Sequence, residues 1–82
     1  MIRKLHYSNE SNHKVEVLEN DIVKVLGNET LYKIELVHNS DISFNFGCCY
    51  IINIDTYSDG YESIPVSDLV FVDRKFYDPD HF

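Results

Sequence analysis

Apolar and polar residues alternate with a period of two along most of the chain from Val15 onward, and no segment keeps a helical period over ten or more residues. β-branched and aromatic residues are common in these alternating runs, which favours strands. The predicted strands are Val15 to Leu18, Ile22 to Leu26, Leu31 to His38, Cys48 to Tyr57, Tyr61 to Val66 and Leu69 to Val72. We therefore expect an all-β fold.

Two apolar runs flank Ser58–Gly60, so this segment predicts a hairpin turn. A two-residue turn would place charged and apolar residues side by side on one face. A three-residue loop instead pairs Ile54 with Ile64, and Gly60 then takes the left-handed position of a type I turn followed by a bulge. We expect the second register.

Another hairpin is predicted earlier in the chain, with Gly27–Thr30 as its four-residue loop. In this register Val25 faces Tyr32 and Val23 faces Ile34, which gives one apolar face and one largely wet face. The outer face would also carry three apolar residues, Ile22, Leu26 and Leu31. Lys24 would lie opposite Lys33, an unfavourable pair.

The segment Pro65 to Leu69 is short and turn-prone and predicts a single 3₁₀ turn before the last strand. The motifs "NDIVKV", "LYKIELV", "YIINIDT" and "ESIPVSDLVFVD" resemble SH3-like barrels, particularly the small bacterial and phage kinds, over residues 19–73. The resemblance implies a barrel of five to six strands over residues 15–73, with residues 1–14 as an arm or edge strand and 74–82 as a tail. The chain lacks the "ALYDY"-like run and the Trp of peptide-binding SH3 domains, so binding of PxxP ligands is not implied.

The length and the charge of the chain limit the classes of function that we expect. The 82 residues are enough for one domain, and the formal net charge is −7. Residues 1–41 hold five Lys/Arg and seven Asp/Glu, and residues 42–82 hold two and seven, so the second half carries −5 of this charge. Nucleic-acid phosphates and anionic lipid repel such a surface, so direct binding to nucleic acid or membrane is not expected. No apolar run has membrane-spanning length, and no apolar region follows the basic start, so we expect a cytoplasmic protein.

The sequence lacks the motifs that are typical of metal-binding and catalytic sites. The candidate metal ligands are His6, His13, His38, His81, Cys48 and Cys49. None of them occurs in the pairs, two to four residues apart, that are typical of zinc sites, and no calcium-binding loop or nucleophile elbow is present. We expect no metal, no cofactor and no enzymatic activity. Adjacent Cys residues on a strand point to opposite faces and indicate two free thiols.

Acidic and aromatic residues are the remaining candidates for function. An acidic face gives fast, salt-sensitive association with a basic protein surface, and exposed Tyr side chains supply contact area at low entropic cost. The predicted partner-binding residues are Asp55, Asp59, Tyr61, Glu62, Asp68, Tyr77, Asp78 and Asp80. Asp59 and Tyr61 lie at the predicted hairpin tip. The alternative, that the acids only keep the protein soluble, stays open.

Together these features predict a small non-enzymatic binding protein. We expect a phage or mobile-element accessory protein that docks on, and inhibits or modulates, a basic host protein such as one that normally binds nucleic acid. One rival is an assembly module that forms a homo-oligomer through an exposed edge strand such as residues 15–18. The other is a small-ligand or metal-dependent protein that uses Cys48, Cys49 and His38.

Overall fold

A computed structural model describes the chain from Ile2 to Arg74, and these residues form strands and one 3₁₀ turn. The strands are β1 His6–Asn9, β2 Lys14–Glu16, β3 Ile22–Val25, β4 Tyr32–His38, β5 Cys48–Asn53, β6 Tyr61–Pro65 and β7 Leu69–Asp73, and the 3₁₀ turn is Val66–Asp68. The all-β prediction and the predicted 3₁₀ turn before the last strand are therefore confirmed. Pro65, with extended backbone, precedes the turn, and the Leu69 N–H donates to the Val66 carbonyl to close it.

The seven strands form one mixed sheet in the order β2-β1-β7-β3-β4-β5-β6. Neighbours are antiparallel except β1 and β7, which are parallel. The sheet is open, with β2 and β6 at its edges, where the resemblance implied a closed barrel. It is nevertheless strongly curled, because Tyr7 of β1 and Ile64 of β6 belong to one hydrophobic cluster.

The N-terminal segment, expected to form an arm or an edge strand, contributes β1 between β2 and β7. Tyr7 anchors this strand because its side chain is buried in the core. The polar cluster after it makes a tight turn, in which the Asn9 side chain accepts the N–H groups of Ser11 and His13, both at 2.9 Å. This turn folds β2 back onto β1, so β2 rather than β1 forms the edge.

The core lies on the concave face of the curled sheet. Its buried members are Tyr7, Val17, Val23, Tyr32, Ile34, Cys49, Ile51, Ile64 and Leu69. Removing large apolar side chains of this kind from water is the main stabilising contribution in a domain this small.

The β3–β4 hairpin keeps its predicted faces but not its predicted register. Val23 lies opposite Tyr32 instead of Ile34, a shift of two positions. Because side chains alternate with a period of two, a shift of two leaves Val23, Tyr32 and Ile34 on the inner face. The shift lengthens the connection, in which the Asn28 N–H donates to the Val25 carbonyl at 2.9 Å. It also removes the unfavourable lysine pair.

One apolar residue of this hairpin departs from the prediction. Ile22, expected on the wet outer face, is only 1% exposed. It lies opposite Lys33 on one side and opposite Asp73 on the other, and an irregularity in the β3–β7 pairing follows it. Leu26, by contrast, is exposed as expected.

The β5–β6 hairpin was predicted with the wrong register. Ile64 lies opposite Cys49 rather than Ile54. The strand ends early because the Asn53 side chain accepts the N–H groups of Asp55 at 2.8 Å and Thr56 at 3.3 Å, which turns the backbone away from the sheet. The connection between β5 and β6 therefore comprises residues 54–60.

Gly60 also has a different role from the predicted one. The positive φ angles in this connection belong to Tyr57, at 53°, and Asp59, at 50°, and Gly60 has none. A Cβ atom on Gly60 would lie 1.8 Å from the Ile51 carbonyl oxygen. Glycine is required here because the connection packs directly on the β5 backbone.

Candidate functional site

The outer face of β4 and β5 presents an unusual number of exposed side chains. The β4–β5 register shifts between Ile34 and Leu36, so Glu35 and Leu36 are both exposed although they are neighbours in sequence. Leu36 lies opposite Tyr50, and the two side chains are 46% and 40% exposed. The bulge thus places an acid and an apolar residue together on one solvent-facing surface.

The connection after β5 adds an aromatic residue to this surface. Tyr57 takes a left-handed backbone conformation and is 62% exposed. Together with Glu35, Leu36, Tyr50 and Ile52 it lines a shallow depression of about 290 Å³. The Asn53 turn, rather than the strand pattern, places Tyr57 here.

A second depression of about 290 Å³ adjoins the first, because Tyr50 and Ile52 line both. Its other walls come from residues 58–62. Asp59 and Glu62 are exposed there, and neither carboxylate forms an ion pair with any of residues 2–74. We call the two depressions the acidic–aromatic face, made of Glu35, Leu36, Tyr50, Ile52, Tyr57, Asp59 and Glu62.

One ammonium group already lies on this face. Lys33 Nζ is 3.1 Å from a Glu35 carboxylate oxygen and 5.4 Å from the centre of the Tyr57 ring. An ion pair at the surface such as this partly exposed one contributes only about 0–1 kcal/mol to stability. The position of Lys33 shows that this surface accommodates a cation between a carboxylate and an aromatic ring.

The structure does not bring all of the predicted partner-binding residues together. Asp59, Tyr61 and Glu62 line the second depression. Tyr61 also packs edge-on against Tyr32, with ring centroids 5.8 Å apart. Asp55 is exposed in the same connection but lines neither depression.

Asp68 lies apart from this face, in the 3₁₀ turn, where its carbonyl accepts the Leu26 N–H at 2.9 Å. The remaining predicted residues, Tyr77, Asp78 and Asp80, lie outside the described residues.

Sequence reasoning missed a buried polar cluster, Tyr7–Asp21–Arg74. Asp21 is fully buried and accepts the Tyr7 hydroxyl, the Leu18 N–H at 3.1 Å and the Arg74 Nε–H at 2.7 Å. Arg74 also donates from Nη2 to Asp21 at 3.0 Å and to the Glu16 carbonyl at 2.7 Å. The cluster ties β1, the β2–β3 connection and the end of β7 together.

The electrostatics of this cluster follow from its burial. Burial raises the pKa of Tyr7 above its ordinary value, and the hydrogen bond to the Asp21 carboxylate raises it further. The same carboxylate raises the pKa of Arg74 through its hydrogen bond. Tyr7 therefore stays protonated and Arg74 stays charged, which is the arrangement of a structural cluster.

The second missed feature is the loop between β4 and β5, residues 39–47. Ile42 is 87% exposed and Phe44 is fully exposed, while Phe46 is 40% exposed with Arg3 lying 5.4 Å from its ring centre. The signal was present in the sequence, since three large apolar residues occupy alternate positions in a loop that is otherwise polar. Contiguous exposed apolar side chains mark interaction surfaces.

The residues on which the ligand-binding rival depends, Cys48, Cys49 and His38, lie on the neighbouring strands β4 and β5. Cys49 is buried in the core, and burial raises the pKa of its thiol to about 12. Cys48 is half-buried and lies opposite His38 on the neighbouring strand. Among residues 2–74, no group of three or more His, Cys, Asp or Glu side chains is placed to hold a metal ion.

Comparisons with family models, curated proteins and solved structures returned no match. Within the described part of the chain, no helix has the length and apolar character needed to cross a membrane.

Proposed function

We propose that this protein is a small non-enzymatic binding protein whose acidic–aromatic face docks on a basic surface of another protein. The observation that carries the proposal is the pair of adjoining depressions, which are lined by the acidic residues Glu35, Asp59 and Glu62 together with the exposed aromatic residues Tyr50 and Tyr57. Aromatic residues at the centre of an interface supply most of its binding energy, and the charges around them select the partner and accelerate encounter.

Three properties support this choice. Four of the seven residues of the face lie on strands β4 and β5, which are anchored by buried Ile34 and Ile51, so this part of the face is preformed. The net charge of −7 favours encounter with a basic partner. The thiol and phenol with raised pKa values, Cys49 and Tyr7, are buried in the core rather than placed on the face.

The wider biological role belongs to the same proposal. The strand content and the 3₁₀ turn before the last strand support the likeness to small SH3-like barrels, although the sheet is open. Small size, acidity and that likeness support a cytoplasmic phage or mobile-element accessory protein. Its target would be a basic host protein, such as one that normally binds nucleic acid, which the acidic face inhibits or modulates.

The first test measures binding of a fluorescent arginine-rich peptide by anisotropy at low and high salt. Wild type is compared with the double variant Asp59→Asn/Glu62→Gln and with the control Asp55→Asn/Asp68→Asn. The two variants have the same net charge, but only the first changes carboxylates of the face. We expect about tenfold weaker binding for the face variant, loss of binding at high salt, and near-wild-type binding for the control, because close charge pairs couple by roughly 1.5 kcal/mol or more.

A pull-down from nuclease-treated bacterial lysate, with the same three proteins as bait, extends the test to natural partners. We expect a basic protein that the wild type and the control retain and the face variant loses. Equal effects of the face variant and the control in both experiments would show that net charge alone attracts cations, and the proposed face would be rejected.

A further inference from the structure

The exposed loop of residues 39–47 is built as a projecting contact rather than as an unfolded connection. The Ser43 N–H donates to the Ser40 carbonyl at 3.0 Å and the Phe46 N–H to the Ser43 carbonyl at 3.3 Å, which makes two successive turns. The Ser40 and Ser43 hydroxyls accept the N–H groups of Ile42 at 3.4 Å and Asn45 at 3.1 Å. With these backbone donors satisfied internally, the loop can be buried against an apolar surface at little cost in lost hydrogen bonds to water.

The surroundings of this loop are basic in an otherwise acidic molecule. Arg3 and Lys4 are exposed, and the Arg3 N–H donates to the Asn39 carbonyl at 2.7 Å, which holds the basic segment beside the loop. Asp41 is the single acid among residues 38–47. We call the loop and these two cations the apolar–basic loop.

This loop and the acidic–aromatic face are complementary. One offers projecting Ile42 and Phe44 beside cations, and the other offers two shallow depressions, each of about 290 Å³, beside carboxylates. In the structure a copy's own loop does not cover its own face, because Ile42 and Phe44 of the loop and Tyr57 of the face are all exposed. Both surfaces therefore remain available to another molecule.

We propose that the apolar–basic loop of one copy docks on the acidic–aromatic face of a second copy. The inference rests on the proposed function in one respect, since it uses the same face as the acceptor, and it adds self-association as a competitor for that face. Charge favours contact between a loop and a face over contact between two loops, because two loops facing each other would bring Arg3 and Lys4 against their own counterparts. We infer a head-to-tail arrangement of this loop-to-face contact, which does not close after two copies, so larger species form as the concentration rises.

The edge-strand route to a homo-oligomer is less favoured by the structure. β2 does form an edge of the sheet, but it has three residues, with charged Lys14 and Glu16 at its two ends. Short and charged edge strands resist pairing with another chain. Self-association through the loop needs neither edge.

Sedimentation velocity over a concentration series at physiological salt tests the proposal with two complementary variants. Phe44→Ser disables the loop and leaves the face intact. Tyr57→Asn disables the face, and Asn tolerates the positive φ at this position. Leu26→Ser, which removes an exposed apolar side chain that is 60% accessible elsewhere on the surface, is the matched control.

We expect the average mass of wild type and of Leu26→Ser to rise with concentration past that of a dimer, while each of the other two variants stays monomeric. An equimolar mixture of Phe44→Ser and Tyr57→Asn should form a dimer and nothing larger, because one intact loop then meets one intact face. Wild type that stays monomeric up to millimolar concentration, a mixture that does not associate, or Phe44→Ser that associates like wild type would each overturn the proposal.

Two further measurements distinguish self-association through the loop from membrane binding by the loop and from the proposed function. The chain contains no Trp, so Phe44→Trp places a single fluorophore on the loop. Its emission should shift to the blue as the protein concentration rises. If the emission of dilute protein shifts to the blue when phosphatidylcholine vesicles are added, the loop binds a membrane and the proposal is overturned.

Binding of the arginine-rich peptide by Phe44→Ser should equal or exceed that of wild type. Peptide binding without self-association would reject this inference alone, and self-association without peptide binding would reject the proposed function alone.

Discussion

Carboxylates occur in two contrasting settings in this protein. Asp21 is fully buried and accepts hydrogen bonds from Tyr7, Leu18 and Arg74, whereas Asp59 and Glu62 are exposed and line a shallow surface depression. A buried carboxylate is tolerated only when its oxygens are paired, so it is bound to the fold and unavailable to a partner. An exposed one costs the fold almost nothing and remains free to act in binding. The difference shows that an acidic composition alone does not separate structural acids from functional ones.

The contrast between buried and exposed carboxylates is tested most directly by substituting Asp21. Asp21→Ala should lower the free energy of unfolding by about 3 kcal/mol, because the Tyr7 hydroxyl and the Arg74 guanidinium lose their shared partner inside the protein. Urea denaturation followed by circular dichroism measures this change. If the variant is as stable as wild type, the Tyr7–Asp21–Arg74 cluster contributes nothing to the fold and the contrast between the two settings fails.

The next largest effect is expected beside the acidic–aromatic face, at Gly60. The added methyl group of Gly60→Ala would meet the Ile51 carbonyl oxygen at 1.8 Å, so the connection must move away from β5. We expect a loss of roughly 1–3 kcal/mol in stability, as for other overpacked sites, together with weaker binding of the arginine-rich peptide.

Gly27→Ala is the control for Gly60→Ala. Gly27 has a φ of 79° but open space around it, so its substitution should cost only about 1 kcal/mol of backbone strain and leave peptide binding unchanged. Equal effects of the two substitutions on peptide binding would contradict the close packing of the connection on β5.

Alkaline pH tests the buried region through its titratable groups. Burial raises the pKa of Cys49 from 9.0 to about 12, and that of Tyr7 rises above its ordinary 10.0. The unfolded chain therefore loses these protons at a lower pH than the folded protein, so stability is retained below pH 9 and declines as the pH rises above it. Each group should steepen this decline by up to about 1.4 kcal/mol per pH unit while only the unfolded form is ionised.

Urea denaturation at a series of pH values measures this decline, and Cys49→Ala and Tyr7→Phe serve as comparisons. The first should remove the part of the slope that begins near pH 9, and the second the part that begins near pH 10. A slope that neither substitution changes would assign the alkaline sensitivity to other groups.

The smallest effect on stability is expected for the exposed acids. Asp59→Asn/Glu62→Gln should change the free energy of unfolding by no more than about 0.5 kcal/mol, since neither carboxylate has an ion-pair partner among the described residues. Thermal denaturation measures this change, and peptide anisotropy should show that only binding is affected. A large loss of stability would mean that these acids, like Asp21, are structural.

Periodicity explains which parts of the fold were predictable. Strand alternation identified the inner face that contains Val23, Tyr32 and Ile34, and it survived an error of two positions in the register because the period of a strand is two. The 3₁₀ turn followed from Pro65 and the small polar residues after it. The β5–β6 pairing did not survive, because the side chain of Asn53 stopped the strand before the predicted loop.

The candidate site also has a part that the sequence predicted and a part that it did not. Asp59, Tyr61 and Glu62 were predicted together because they are close in sequence at one hairpin. The contributions of Leu36 and Tyr50 depend on a bulge in another strand pair, which no local pattern signals.

What the sequence determined by itself is therefore local: strands, the inner face of the β3–β4 hairpin, a 3₁₀ turn and an acidic character. The tertiary structure alone decided that the sheet stays open, that Tyr7, Asp21 and Arg74 meet, and that residues of β4, β5, β6 and the β5–β6 connection together form the acidic–aromatic face. Arg74 reaches Asp21 across 53 positions of sequence separation. Contacts over such distances depend on how the whole sheet curls, whereas a strand's alternation is fixed by the backbone of each residue pair.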